Sequence, residues 1–396
     1  MWQKIKNIYH LINAILANFY YGFPSRDLVV IGVTGTDGKT TTVNLIYHIL
    51  KETGLNASMI STVGASVEGS LEDIGFHVTT PSSWMLQRLL KRITKVKEKG
   101  KQYVVLEVTS HALDQHRIWG INFEIGVLTN VTNEHLDYHR TYENYLKTKT
   151  RLLKASKIAI INKDDKSYEY IKEVLGGRKT LEYSFSDSAD LSIKSLKVNN
   201  PALEKFNLYN VLAASLTCHK LGIEIKDIEK TLPSFILPKG RQDVVFEGRF
   251  RVMVDFAHTP NSFEKILSSI NVEGGRIIHV FGCAGKRDAV KRPVMGGISA
   301  KYADVIILTA EDPRTEKVED IISDISSGME IVDGKPEVFK ISDRKDAIAT
   351  AVKMAQEGDF ILITGKGHEK SMNIGGHEVH WSDEEAVDEA LRLRAE

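Results

Sequence analysis

The sequence predicts an α/β protein built from mainly parallel sheets covered by helices, and three observations carry that prediction. Apolar runs rich in β-branched residues, Leu28–Val33, Tyr103–Val108, Ile125–Leu128 and Ile158–Ile161, alternate with helical patterns, as strands buried on both faces do. The alternation begins again after Leu237, Pro238, Lys239 and Gly240, with Phe250–Phe256, Ile277–Phe281, Val305–Thr309 and Phe360–Thr364 as strands. A length of 396 residues suits two domains that each bury a substantial core. The expected division is a helix and lead-in over 1–27, one α/β domain over 28–238 and a second over 239–396. No fixed-period repeat or low-complexity tract is present.

The opening stretch places apolar residues at Ile8, Leu11, Ile12, Ile15 and Leu16, near the helical period, and interrupts them with Lys4, Lys6, His10 and Asn13. It is too broken to span a bilayer and lacks the apolar core of a signal peptide. The expectation is an amphipathic helix packed on the first domain, with Tyr20, Tyr21 and Phe23 continuing the contact; association with a membrane interface is the alternative. Formal net charge is zero, so no global field draws the chain to nucleic acid. The only cysteines, Cys218 and Cys283, have no paired spacing, which fits a reducing cytoplasm.

The first strand runs into Thr34, Gly35, Thr36, Asp37, Gly38, Lys39, Thr40 and Thr41, and a helical pattern follows over Thr42–Leu50. Glycines let backbone N–H groups approach phosphate oxygens, and a helix N-terminus favours the anion. Lys39 can reach the outer phosphates and the Thr40 hydroxyl can ligate Mg²⁺, so ATP is the natural ligand and a P-loop ATPase-like domain follows. Strict Walker spacing would place a glycine where this chain has Val33.

A later strand ends in Glu107, Val108, Thr109, Ser110 and His111, and another leads to Asn133, Glu134, His135, Leu136 and Asp137. Carboxyl ends of parallel strands converge on one crevice, so Glu107 and His135 are expected beside the phosphate loop. A carboxylate and an imidazole there suit magnesium or manganese. Taken singly, Glu107 reads equally as a strand-end ion pair and His135 as a satisfied polar histidine.

Together these segments resemble the Mur ligase family. The carriers are Gly35-Thr36-Asp37-Gly38-Lys39-Thr40, Glu107-Val108-Thr109-Ser110-His111, Asn133 to His139, Phe206 to Asn210, and Asp255-Phe256-Ala257-His258-Thr259-Pro260. Gly282 to Asp288, Glu311-Asp312-Pro313-Arg314 and Gly365-Lys366-Gly367-His368-Glu369 follow in the family's order, and the tripeptide-synthetase branch is the nearest. The resemblance covers nearly everything from residue 28 onward. It implies an ATPase domain followed by a Rossmann-like α/β domain, the second closing over nucleotide and amino acid. It further implies ATP-dependent amide ligation through an acyl phosphate, with two Mg²⁺ ions, a muramoyl-peptide acceptor and peptidoglycan-precursor synthesis as the setting.

By the same resemblance Lys149 is a carbamylated lysine that helps hold the second magnesium, and Asn207 and Asn210 lie near the nucleotide base. Arg241, Asp255 and His258 serve the ATP phosphates from the second domain. Thr79, Thr80, Thr109, Ser110, Gln115 and Arg117 hold the acceptor. Arg287, Asp312, Arg314, Gly365 and Glu369 recognise the incoming amino acid. A distal ammonium and carboxylate on meso-diaminopimelate would need an anion and a fork donor, which Glu369 and Arg314 supply. Glu311-Asp312-Pro313-Arg314 departs from the branch's usual Asp-Asn-Pro-Arg, and Asp243 stands where glutamate is usual.

Family members also carry an N-terminal domain of about a hundred residues that grips uridine diphosphate, and here 27 residues precede the first strand. The expectation is that this domain is absent and that acceptor affinity falls with it. Two other readings remain: a ligase acting on a different muramoyl or glutamyl carboxylate, and a nucleotide-binding interaction protein that has lost catalysis. Retention of Lys39, Glu107, His135 and Lys149 argues against the last.

Overall fold

The computed structural model describes every residue except Met1, Glu68, Asp73, 76–78, 97–99, 204–206, 330–335 and Glu396, so Phe206 of the resemblance lies outside the described residues. The chain divides into two compact units, 1–236 and 237–396.

In the first unit the strands are β1 (Val29–Thr34), β2 (Asn56–Ser61), β3 (Gly64–Val67), β4 (Ser70–Glu72), β5 (Gln102–Glu107), β6 (Phe123–Leu128), β7 (Ser156–Asn162), β8 (Thr180–Ser184) and β9 (Leu191–Ser192). They form one sheet in the order β4-β3-β2-β5-β1-β6-β7-β8-β9. Only the β2–β3 and β3–β4 pairings are antiparallel. The central strand β1 pairs in parallel with β5 on one side and β6 on the other, Val33 standing level with both Glu107 and Val127. Val30, Ile31, Val104, Val105, Ile125 and Val127 are fully buried. Helices cover both faces, which explains why these strands read as unbroken apolar runs. Each such side chain contributes roughly 1.5–3 kcal/mol.

The second unit contains β10 (Asp243–Glu247), β11 (Arg251–Asp255), β12 (Ile277–Phe281), β13 (Val305–Leu308), β14 (Glu337–Lys340) and β15 (Phe360–Thr364). Their order is β10-β11-β15-β12-β13-β14, parallel throughout except for the edge pair β10–β11. One face packs Val252, Val280, Ile307 and Ile361 against Ile348 and Val387. The other packs Phe281, Ile306 and Leu362 against Phe263, Met295 and Ile322. The carboxyl ends of β11, β12, β13 and β15 open onto the motif segments beginning at Asp255, Gly282, Thr309 and Gly365. Cys218 and Cys283 are free and buried.

The first helix, α1 (Trp2–Tyr21), forms where periodicity places it and packs against a helix over Ser83–Ile93. Of the apolar residues expected to pack, Leu11, Ile15, Tyr21 and Phe23 are half-buried, but the rest of that face turns outward. Ile8, Ile12 and Leu16 are each more than half exposed, whereas Ala14, Ala17 and Asn18 are buried. The reason is hydrogen bonding: Asn7 donates to the Asp114 carboxylate at 2.8 Å and Asn18 to the Trp119 carbonyl at 2.7 Å. Amides anchored this way help turn the Ala14, Ala17 and Asn18 side inward, where apolar periodicity alone centres the packed face on Ile8, Ile12 and Leu16. Tyr20 is likewise mostly exposed, although its ring meets Trp84.

Candidate active site

The phosphate loop leaves β1 at Thr34 and enters α2 (Lys39–Glu52), so the helix begins earlier than apolar periodicity suggests. Gly35 has φ +153° and Gly38 φ +80°, and a Cβ would lie 1.8 Å from Thr129 Oγ1 at the first and 2.2 Å from Asn210 Oδ1 at the second. Only glycine fits either place. The loop is held from β6: the Asp37 amide donates to Asn130 Oδ1 at 3.0 Å, and Asn130 Nδ2 and Thr129 Oγ1 donate to the Asp37 carbonyl. Thr36 Oγ1 accepts the Thr132 amide at 2.9 Å and meets the Tyr145 hydroxyl. Lys39 Nζ donates to the Thr36 carbonyl at 2.7 Å, curled back over its own loop. Thr40 and Thr41 are buried on the first turn of α2. Asn210 donates to Asn207 Oδ1 and accepts from Thr42, which places both asparagines against that helix.

Glu107, at the end of β5, is 1% exposed and is the hub of the polar contacts beside the loop. Its carboxylate accepts from Thr40 Oγ1 at 3.0 and 3.1 Å, and from the Thr62 amide and hydroxyl at 3.0 Å each. Three donor groups, the Thr40 hydroxyl and the Thr62 amide and hydroxyl, tether this carboxylate beside the loop. Thr62 also receives no signal from any motif, and only the fold brings it here. Thr79 accepts from Thr62, and Thr80 donates to the Glu107 carbonyl and accepts the Thr109 amide. Arg117 is held as a fork, with Nε and Nη2 on Gln115 Oε1 and Nη1 on the Thr80 carbonyl. Thr109 caps the short helix Ser110–Asp114, and Ser110 meets His139 at 3.1 Å.

His135 sits in a left-handed conformation, φ 55°, with Glu134 3.9 Å from its Nε2 and the His111 ring 4.9 Å from its own. Strained non-glycine backbone of this kind collects at functional positions. Lys149 is fully buried, donates to the Gly35 carbonyl at 2.5 Å and lies over the Tyr145 ring. Burial, with Lys39 adding to it, holds its ammonium well below the usual lysine range, against the opposing pull of Glu134 and Asp37. Among the described residues no three His, Cys, Asp or Glu side chains form a metal-binding group. The paired oxygen donors of Thr40 and Glu107 nevertheless fit magnesium, which keeps water and phosphate oxygens among its ligands.

In the second unit Asp255 ends β11 and accepts the amides of Gln242 and Ala257 at 2.7 and 2.6 Å. Burial raises its carboxyl above the usual range, against Arg241 and His258. Arg241 stacks over Phe256, and His258 Nδ1 meets the Phe256 carbonyl. The motif segments of β12, β13 and β15 meet in an ionic cluster. Lys366, fully buried, bridges Asp312 at 2.8 Å and Glu369 at 2.6 Å, while Asp312 also accepts the Asn373 amide. Arg314 donates to the Gly285 carbonyl, and Asp312 and Arg314 both have positive φ. Gly365 lies against Glu311, whose carboxyl burial pushes up to about 7. Arg287 is exposed. Lys366 was legible as a motif letter, but its role as the shared counter-ion of Asp312 and Glu369 was not. In the same unit Arg344, fully buried in an ion pair with Asp383, also donates to the Ala310 and Thr364 carbonyls.

A glycine loop beside a tethered carboxylate in one α/β unit and an ionic cluster at the strand ends of a second agree with the features expected of the Mur ligase class. Residues 33–218 match the Mur ligase middle domain and 240–367 the Mur ligase glutamate ligase domain. The chain belongs to the Mur ligase family, whose members are ATP-dependent, ADP-forming amide ligases. It is 37% identical over 401 residues to UDP-N-acetylmuramoyl-L-alanyl-D-glutamate–2,6-diaminopimelate ligase 1 of Clostridium acetobutylicum, covering 96% of this chain and 81% of that one. The corresponding Geobacillus kaustophilus ligase is 35% identical, with 96% and 82% covered. A solved structure of a ligase of the same name superposes with a TM-score of 0.61 at 32% identity, over 93% of this chain and 79% of that one. No helix among the described residues is long and apolar enough to cross a membrane.

Proposed function

We propose that this chain joins meso-diaminopimelate to the D-glutamyl carboxylate of a UDP-MurNAc-L-Ala-D-Glu-like acceptor, with ATP converted to ADP and phosphate. The observations that carry the reading are, in the first unit, a glycine loop beside Glu107 tethered by three donor groups and, in the second, the Asp312–Lys366–Glu369 cluster beside Arg314. The names of the relatives at 35–37% identity supply the substrates.

In this mechanism the amides of Gly35–Thr40 and the Lys39 ammonium bind the outer phosphates, Lys39 leaving the Thr36 carbonyl to do so. Thr40, Glu107, His135 and a carbamylated Lys149 would hold magnesium, which when bound offsets charge on the phosphates. Carbamylation needs a neutral amine, and the burial of Lys149 favours one. Thr79, Thr80, Thr109, Ser110, Gln115 and Arg117 hold the acceptor, the Arg117 fork meeting a carboxylate. That carboxylate attacks the γ-phosphorus, forming an acyl phosphate and releasing ADP. The neutral amine of the amino acid attacks the acyl carbon, the C–O bond to phosphate breaks, and the amine proton leaves with phosphate or solvent. Asn207, Asn210, Arg241, Asp255 and His258 are proposed for the nucleotide. Arg287, Asp312, Arg314, Gly365 and Glu369 are proposed for the amino acid, Arg314 binding the distal carboxylate that lysine lacks.

Phosphate release with UDP-MurNAc-L-Ala-D-Glu tests this. Turnover with meso-diaminopimelate but neither L-lysine nor buffer is the expected result. Equal turnover with lysine would overturn the amino-acid assignment, and none with any amino acid would overturn the acceptor.

A further inference from the structure

On α1, Ile5, Ile8, Tyr9, Ile12, Leu16, Phe19 and Tyr20 are between 52% and 75% exposed. At 100° per residue they fall in one sector about 120° wide, running roughly 22 Å along the helix. The helix is attached through Ala14, Ala17, Asn7 and Asn18, with Leu11 and Ile15 half-buried beside them, and offers its larger apolar side to the outside. Trp84, which donates to Asn13 and meets Tyr20 and Tyr21 edge-on, widens the patch. Eight large, partly exposed side chains present on the order of 500–800 Å² of contiguous apolar surface, more than monomers ordinarily leave bare.

The surrounding charge selects the occupant. Helix α1 carries exposed Lys6 and no acidic residue. Its neighbour α3 (Ser83–Ile93) adds exposed Arg88 and Arg92, the latter paired with Glu72, and half-buried Lys91, and exposed Lys95 follows. Lys91, Lys95 and Lys101 line a groove of about 800 Å³, with Asp27 as its acidic member. Helix α1 offers no acidic side chain with which a second copy of this face could pair its cations. An apolar stripe with aromatic rings and a basic margin instead matches the boundary between acyl chains and anionic headgroups.

We propose that the outward face of α1 seats on an anionic membrane surface, lying in its plane without crossing it. The inference is independent of the ligase reading. Its test is sedimentation of the full chain with vesicles of phosphatidylcholine alone or phosphatidylcholine with 30% phosphatidylglycerol. The variants are Ile8→Ser/Ile12→Ser/Leu16→Ser and Lys6→Glu, whose side chains are exposed, so unchanged melting temperature reports intact folding. Binding at least about tenfold stronger to phosphatidylglycerol vesicles is expected, weakening with salt, lost in the triple serine variant and reduced several-fold by Lys6→Glu. Equal, weak sedimentation with both vesicles would overturn the proposal. So would a wild-type dimer by light scattering that the triple variant dissolves without any lipid binding, since a second copy would then cover the face.

Discussion

The first unit gathers its candidate residues from backbone and hydroxyl groups around one carboxylate, whereas the second gathers its own from buried and half-buried charges. Glu107 is satisfied by Thr40 and Thr62, and the loop by Asn130 and Thr129, with Lys39 as the mobile cation. Asp312, Glu369 and Lys366 satisfy one another, in the same unit as the Arg344–Asp383 pair. Backbone donors suit a ligand that never varies, a polyphosphate. Side-chain ion networks suit a ligand whose identity is selected, because each charge can be exchanged. The departure at Glu311-Asp312 falls in the second kind of site, and Lys366 already neutralises the carboxylate that replaces the usual amide.

The contrast can be broken at several points. Lys39→Ala should lower ADP formation by about 10³-fold or more while leaving amino-acid affinity nearly intact, read from initial rates and equilibrium binding. Lys366→Met strands two buried carboxylates and should raise the KM for amino acid by about 50–100-fold. Nucleotide affinity should stay within about twofold; a matching loss there would mean the two halves do not divide the work. Thr62→Val removes one of the Glu107 donors and should cost about tenfold in kcat.

Acid should act unequally on the two units. His279 in the second, fully buried between Ser299 and Thr364, is lowered to about 3 by burial and by Arg344. Its unfolded form binds a proton below about 6.5, so folding stability is fully present above that pH and falls as pH drops toward 3, by about 1.4 kcal/mol per unit. In the first unit His139, lowered to about 4, acts over a narrower window. Denaturant titrations between pH 7.5 and 5 should show the slope, and His279→Asn should flatten it.

Much of this was legible in the chain. Parallel strands declare themselves because both faces are apolar, and the glycine loop because its conformation excludes other residues, as Gly35 and Gly38 show. Partnerships across distant segments were not legible: Thr62 with Glu107, Asn130 with Asp37, and Lys366 with two carboxylates depend on strand order, which no local pattern encodes. The orientation of α1 was misread for a related reason. Periodicity finds the apolar face, but Asn7 and Asn18 find partners on Asp114 and Trp119, and those partners help decide which face turns inward.

The most direct test of the account labels the D-glutamyl carboxylate of UDP-MurNAc-L-Ala-D-Glu with ¹⁸O and analyses the phosphate released during ligation of meso-diaminopimelate. One ¹⁸O atom in each phosphate is predicted, because the acceptor carboxylate attacks the γ-phosphorus and its oxygen departs with phosphate. Unlabelled phosphate accompanying labelled acceptor would contradict the acyl phosphate and, with it, the role assigned to the first unit.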